Sequence, residues 1–516
     1  MLKTYRRKAI DLAQLSGIRH YHDLKTLPAP KILKQRLDEY IIGQEKPKKI
    51  LSVGVYNHYL KIKDREDKIQ QLTQLDLLKA RYQNELDKLS IAKERAKYDF
   101  SANDSDGAEP ISQPTSTQEF EIGLKSMKTR ILSEEQKLAS ANFDLQLGKS
   151  NIMLIGPSGS GKTMLTSTMA KNLHVPISIS DCTQLTQAGY TGDDVHEVIK
   201  RLLINSNYNK DLSEKGIVVL DEVDKLAKSK SKGSGGKDVS GEGVQQSLLK
   251  LLEGHQVEFF LDRPVDPKEA DRQLRKTGVH SPMTMREHYS INTENILFIL
   301  SGAFVGLDKI VYKRVNPHLS QKEFENVKNY EYIISADGKT KVPTLSLAQP
   351  EDLVVFGLIP EMIGRVPIVT ALEPLQESDL YDILSKPKNS FVKQYEYIFQ
   401  KIGITLRFSR KALKKISKWA LTNKTGARGL KSILERVLLE CNYDCPESGV
   451  RYILITEKNV NHIIKESGHL LDIGDCEPIK YYSRAEKDFF RIAAANEDPQ
   501  LEKELDVLFN TTPTHK

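Results

Sequence analysis

The 516-residue sequence is poor in the features that mark several protein classes. It has four cysteines, Cys182, Cys441, Cys445 and Cys476, and no CxxC pair among them. That scatter argues against a disulfide framework and fits a reducing compartment. Cys441 and Cys445 stand at helical i, i+4 spacing, but no second ligand pair lies nearby, so no zinc site is expected. The longest strongly apolar stretch, Ile296 to Leu307, falls well short of the roughly 18 residues that cross a bilayer, which excludes a transmembrane anchor. A net charge of +7 spread over so long a chain does not by itself imply nucleic-acid contact, and no helix-turn-helix or comparable module is readable. The first thirty residues lack the apolar core of a secretory signal.

What those thirty residues do contain is a basic, weakly amphipathic opening, Met1-Leu2-Lys3-Thr4-Tyr5-Arg6-Arg7-Lys8, with only Asp11 and Asp23 as acids. This pattern predicts a mitochondrial targeting segment over residues 1–30, with a cytosolic basic N-terminus as the alternative. An apolar content of 39% supports substantial cores, and the length suits two to four domains at about 150 residues each.

The most informative segment is Gly156-Pro157-Ser158-Gly159-Ser160-Gly161-Lys162-Thr163, which follows the apolar run Asn151 to Ile155 and precedes a helical pattern from Met164 onward. That strand-to-helix setting is what a phosphate-binding P-loop requires. Its glycines let successive backbone N–H groups point into one concavity, and the following helix brings its positive dipole end there. Lys162 would reach the outer phosphates, and the Thr163 hydroxyl would meet Mg²⁺. About sixty residues on, Gly216 to Leu220 reads as a strand buried on both faces and ends in Asp221-Glu222. Asp221 would hold the metal, while Glu222 would orient or deprotonate the water that attacks the γ-phosphate. The pair therefore predicts hydrolysis as well as binding of ATP.

Along the chain, Lys48 to Leu60 predicts an amphipathic helix, and Lys61 to about Tyr98 a charged helical insertion or short coiled-coil hairpin with a flexible tip at Ser101 to Gln118. A second helix is expected near Glu119 to Ser140. Polar loops are expected at Lys228 to Lys237, at Asp262 to Tyr289 and at about Asn316 to Lys341. Helical patterns with a strand at Tyr452 to Ile455 suggest a smaller domain from Ser378 to about Ser467, and the tail beyond Arg484 reads as partly helical and peripheral.

Several segments together, Tyr40-Ile41-Ile42-Gly43-Gln44, Gly156 to Thr163, Ala188 to Val195, Asp221-Glu222, Asp238 to Gln246, Gly357 to Arg365 and Lys424 to Leu430, resemble the motifs of the ClpX family of AAA+ protein unfoldases in order and spacing. The resemblance covers roughly residues 38–60 and 143–470. It implies an α/β fold in which a large AAA+ P-loop domain, a parallel sheet between helices, carries a smaller, mainly helical α/β lid domain. The implied division is a large domain over 31–375 with an insertion at about 61–142, a small domain over 376–470 and an extension over 471–516.

The resemblance also implies roles. Tyr40, Ile41, Ile42 and Gln44 match the segment that cradles adenine, and Met164 joins Gly156, Pro157, Ser158, Gly159, Ser160, Gly161, Lys162 and Thr163 in the nucleotide-binding set. Lys162, Glu222, Arg365 and Arg428 form the expected catalytic set, with Mg²⁺ on Thr163 and Asp221. Arg365 matches an arginine finger, which serves a neighbouring subunit and so implies a homo-hexameric ring. Arg428 matches the sensor-2 arginine, and Ser301 lies where sensor 1 is expected. Gly189-Tyr190-Thr191-Gly192 matches the pore loop that grips a polypeptide, with Thr191 where the family usually has Val. Residues 234–243 match a second pore loop, and 272–286 an entrance loop whose usual Arg-Lys-His triplet is not intact.

Two departures shape the expectation further. No cysteine precedes Cys182, so the family's zinc-binding module is not expected, and residues 316–341 hold no Ile-Gly-Phe tripeptide for docking on the ClpP peptidase. The expected activity is ATP-driven unfolding or remodelling of protein substrates in the mitochondrial matrix without a partner peptidase. Metabolic enzymes are the implied clients, among them a pyridoxal-phosphate-dependent enzyme of haem synthesis. The alternatives are a peptidase-coupled ATPase subunit, a nucleic-acid-remodelling ATPase and a scaffold that does not hydrolyse.

Overall fold

Three short runs of aliphatic residues dictate the centre of the protein. Strands β1 (Ile152–Ile155), β3 (Ile217–Asp221) and β4 (Leu297–Gly302) are buried along almost their whole length. Strands without a polar face need cover on both sides, which a parallel sheet flanked by helices provides. With β2 (Ile177–Asp181) and β5 (Ile368–Ala371) they form a five-stranded sheet in the order β5-β1-β4-β3-β2. Every pairing in it is parallel, with Ile152 opposite both Ile299 and Ile368, and Asp181 opposite Asp221. The carboxyl ends of β1, β3 and β4 therefore lie side by side, and a ligand of such a sheet binds outside those ends.

The computed structural model describes residues 27–102, 115–140, 145, 148–186, 193–227, 241–264, 284–318, 322, 324, 327, 330–334, 341–466, 474–503 and 505. They belong to two units, one of residues 57–149 and one of the remainder. Helix α1 (Lys162–Leu173) follows the P-loop directly. Helix α2 (Glu242–Glu253) buries Val244, Gln245, Leu248, Leu251 and Leu252, and the short α3 (Pro360–Gly364) ends at Arg365.

Beyond the large sheet, β6 (Thr405–Phe408) pairs in parallel with β7 (Val450–Ile455), which pairs antiparallel with β8 (Tyr481–Ser483). Helix α4 (Arg410–Thr422) is capped by Ser409, whose Oγ accepts the Ala412 N–H at 3.2 Å, and it buries Leu413, Ile416 and Ala420. Helix α5 (Gly426–Val437) buries Leu430, Ile433, Leu434 and Val437, the i, i+3, i+4, i+7 stripe of a one-sided helix. That stripe fixes which way α5 faces, and it leaves Arg428 and Lys431 off the core.

In the second unit, residues from Asn57 onward of the helix Glu45–Ala102 and the helix Thr115–Ser140 carry an ion pair, Lys79 to Glu135 at 2.8 Å, and bury Leu75, Leu124 and Ile131. The expected tip at 101–118 falls largely outside the described residues.

Three expectations need correction. Part of the loop expected over Asp262 to Tyr289 is strand: Gln256–Pro264 and Thr284–Asn292 form a nine-pair antiparallel ribbon. A ribbon exposed on one face tolerates charge there, so a polar composition did not preclude strands. Part of the 316–341 loop is also paired, Tyr332–Ile334 against Lys341–Pro343. The tail is not peripheral, since Phe490 of α6 (Lys487–Glu497) is fully buried and stacks on Tyr452 with ring centroids 5.1 Å apart.

Candidate functional site

The P-loop owes its shape to glycines whose backbone angles or close neighbours disfavour a side chain. Gly159, at φ +76°, carries its carbonyl 3.1 Å from the Ala427 N–H, and a Cβ there would lie 2.6 Å from the Thr425 carbonyl. A Cβ on Gly156 would come within 2.9 Å of Leu372 Cβ. Gly161, at φ +94°, has no neighbour that would meet a Cβ, so its outer face is open. The loop is thus pressed against the start of α5 on one side and open on the other.

The open side leads into a cleft of about 560 Å³, within the range of small-molecule sites. Ser158, Gly159, Gly161, Lys162, Thr163, Met164, Asp221, Glu222 and Arg428 all line it. Lys162 is buried, and its Nζ donates to the carbonyls of Gly156 at 2.7 Å and Pro157 at 3.0 Å. Desolvation holds its pKa below the usual lysine value and Arg428 adds to that, against the pull of Asp221 and Asp224. An ammonium so placed is short of negative charge, and phosphate oxygens would supply it.

At the end of β3 both oxygens of Asp221 are engaged. Thr163 Oγ1 donates to Oδ2 at 3.0 Å, Ser301 Oγ to Oδ1 at 2.6 Å, and the Glu222 N–H to Oδ1 at 3.0 Å. Parallel pairing makes this possible: Thr163 leaves β1 through the loop, while Ser301 is the next-to-last residue of β4, which lies between β1 and β3. Glu222 sits at φ +57°, a left-handed conformation that non-glycine residues rarely adopt and that clusters at active sites.

The donor set suits a nucleotide with a hard divalent cation. A hydroxyl and a carboxylate in contact are oxygen ligands of the kind Mg²⁺ takes. Ser160 Oγ, inside the loop, is buried without a hydrogen-bond partner, an orphan that a phosphate oxygen would satisfy. Among the described residues no cluster of three or more His, Cys, Asp and Glu side chains is placed for another metal.

Other expected residues lie elsewhere. Tyr40, Ile41, Ile42 and Gln44 are not among the residues lining the cleft. The Gln44 amide is taken up by Glu373, donating to its carbonyl at 2.8 Å and accepting its N–H at 2.9 Å. The buried Lys48 donates to Asp38 and to the Ile41 carbonyl, both at 2.7 Å, so this segment is fixed in place. Arg365 is also outside the cleft: its side chain is 56% exposed and pairs with Glu253 at 3.0 Å. Gly189, Tyr190, Thr191 and Gly192, residues 234–240 of the second loop and 272–283 of the entrance loop lie outside the described residues.

The cleft also holds residues that motif reading missed. Asp224 is buried and accepts the Ala303 N–H at 3.1 Å, and Phe391, Val305 and Lys431 are among the other residues of the wall. Two of these carried a signal. Asp224 follows Asp221 by three residues, and Lys431 follows Arg428 by three on one helix face.

A P-loop and an Asp-Glu strand end on a parallel sheet of this order, with a helical domain beside the loop, define an AAA+ ATPase. Family models agree: that of the AAA domain (Cdc48 subfamily) matches residues 148–369, and that of the C-terminal D2-small domain of ClpB protein matches 375–441. The chain is 44% identical to the mitochondrial ATP-dependent clpX-like chaperone of Saccharomyces cerevisiae, across 97% of its own length and 95% of the relative's. It is 36% identical to ATP-dependent Clp protease ATP-binding subunit ClpX 3 of Methylococcus capsulatus, over 84% and 81%. The chain belongs to the ClpX-like family of AAA+ proteins, and it is an ATP hydrolase.

Proposed function

We propose that this protein is an ATP-driven unfolding and remodelling chaperone that works as a homo-hexameric ring and draws polypeptide through its axis with the Tyr190 loops. The observation that carries the reading is the different placement of the two arginines. Arg428 lines its own chain's cleft, whereas Arg365 is exposed and outside it. A finger that must meet a γ-phosphate has use for that exposure only if the phosphate belongs to a neighbour.

In the hydrolysis step Lys162 binds the outer phosphates and the P-loop amides orient them. Glu222 holds the attacking water and takes its proton at the carboxylate. Ser301 holds Asp221, and with Thr163 Asp221 would hold Mg²⁺. The bound cation supplies positive charge against the phosphoryl oxygens. Tyr40, Ile41 and Ile42 would enclose the adenine, with Gln44 acting through its clamp on Glu373. Gly189, Tyr190, Thr191 and Gly192 would form the grip, because an aromatic ring contacts any chain without reading its sequence.

The yeast relative's name supports a mitochondrial setting, and we assign the matrix, with metabolic enzymes as clients. Work without a peptidase is favoured by the missing Ile-Gly-Phe tripeptide in residues 316–341. The name of the Methylococcus relative favours the second reading, a peptidase-coupled subunit. The test is the steady-state ATPase rate of the chain alone, with an unfolded polypeptide and with duplex DNA, for wild type and Tyr190→Ala. Stimulation by polypeptide that vanishes in the variant is expected. Stimulation by DNA alone, or an unaffected variant, would contradict the reading, and degradation of the polypeptide on adding a ClpP-type peptidase would favour the second one.

A further inference from the structure

Helix α2 buries five residues, and Gln245 is the one polar side chain among them. It is 0% exposed, and both ends of its amide are used. Nε2 donates to the Leu226 carbonyl at 2.7 Å, and Oε1 accepts the Ile359 N–H at 2.9 Å. Leu226 closes the short 3₁₀ turn Val223–Leu226 that follows Asp221-Glu222. Ile359 is the N-cap of α3, and Arg365 is its C-cap. One amide thus spans the distance from the acidic edge of the cleft to the element that ends in the exposed guanidinium.

Packing holds part of this element, since Leu358, Met362 and Ile363 share the core with Val244, Leu248 and Leu251 of α2, and the Ile359 N–H at its N-cap is held by the Gln245 amide. A cleft of about 160 Å³ opens beside the amide, lined in part by Glu242, Val354 and Pro360. Gly357, at φ +127°, precedes the turn, and its N–H donates to the Leu353 and Val354 carbonyls at 3.2 and 3.1 Å. At the far end of α2 the Glu253–Arg365 pair is too exposed to hold an element in place. Asn151 Nδ2 donates to the Arg365 carbonyl at 2.9 Å and anchors the C-cap of α3. At the start of α3 it is Gln245 that holds the N-cap N–H.

We propose that Gln245 is a positioning residue that sets the Arg365 turn from the acidic end of the chain's own nucleotide cleft, so that the state of one site governs the arginine offered to the next. The proposal rests on the reading of Arg365 as a finger for a neighbouring chain. An amide suits the task because it donates at one end and accepts at the other, and an unmade buried hydrogen bond on either side is costly. A change at Asp221-Glu222 that shifts Leu226 is therefore carried to Ile359.

The experiment uses the full chain and measures kcat and KM for ATP, equilibrium nucleotide affinity and oligomeric mass for wild type, Gln245→Leu, Arg365→Ala and the double variant. Gln245→Leu should lower kcat roughly 10-fold or more with affinity and mass retained, because two buried partners are left unsatisfied at the joint and not at the phosphates. The double variant should be no slower than Arg365→Ala alone, as expected of two residues acting through one element. Gln245→Glu keeps the acceptor for Ile359 and, once protonated, regains a donor for Leu226; burial favours that neutral form. Its kcat should recover toward wild type as pH falls, and this profile carries the test if the Leu variant fails to fold. Losses that multiply in the double variant, affinity and mass lost together with kcat, or a Glu profile parallel to wild type would each overturn the positioning role while leaving the finger reading intact. An Arg365→Ala chain as fast as wild type would overturn the finger reading and the proposal with it.

Discussion

Arg428 and Arg365 belong to two regions that solve opposite problems. Arg428 stands on the third residue of α5, and the start of that helix is pressed against the P-loop, Gly159 carbonyl to Ala427 N–H and Gly159 against Gly426. Arg365 follows a five-residue helix and is itself exposed; that helix is held by its buried Met362 and Ile363, by the Gln245 amide at its N-cap and the Asn151 amide at its C-cap, and by one exposed ion pair. The first region keeps an arginine inside its own cleft through backbone contacts. The second keeps one outside, where another chain can receive it. On the proposed reading, the same side chain is given a cis or a trans role by what holds the backbone beneath it.

The largest effects should separate the two. Arg365→Ala is expected to lower kcat about 10³-fold or more with nucleotide affinity little changed, as for loss of a finger. Arg428→Ala should weaken nucleotide binding as well as turnover, because that residue lines the chain's own cleft. Titration with a fluorescent ATP analogue beside steady-state kinetics checks both, and equal affinity losses would erase the contrast.

An intermediate effect is expected where the loop meets α5. Gly159→Ala places a methyl 2.6 Å from the Thr425 carbonyl at φ +76°. A left-handed alanine costs roughly 1–2 kcal/mol, so nucleotide affinity should fall about 10-fold with the fold retained. Binding titration with far-UV circular dichroism reads this out. The smallest effect is expected at Glu253→Ala. Its pair with Arg365 is exposed on both sides, which limits its worth to about 1 kcal/mol or less. ATPase kinetics should stay close to wild type, and a large loss would mean that the ion pair, and not Gln245, positions the finger.

How much of this was legible in the sequence follows the same division. Gly156 to Thr163 and Asp221-Glu222 are continuous motifs on single strand ends, and the chain places them side by side at one cleft. Their chemistry is written in adjacent residues, so no long-range pairing had to be foreseen. The engagement of Ser301 with Asp221 joins residues 80 apart and depends on β4 lying between β1 and β3. Gln245 was visible only as part of a motif, since its partners Leu226 and Ile359 offer backbone groups that no side-chain pattern marks. The 256–292 ribbon was read partly as loop because a two-stranded element open to solvent carries charge as readily as a loop does. The resemblance implied an adenine role for the Gln44 segment, and the pairing of the Gln44 amide with the Glu373 backbone, a partner 329 residues away, was not readable from that match.

The most direct test of the cis and trans assignment is ATPase activity in mixed assemblies. Arg365→Ala subunits keep an intact cleft but offer no finger, whereas Glu222→Gln subunits keep the finger but lack the base. Mixing the two should restore activity well above the sum of the separate rates, while mixing Arg428→Ala with Glu222→Gln should restore none. Equal recovery in both mixtures, or recovery in neither, would contradict the account.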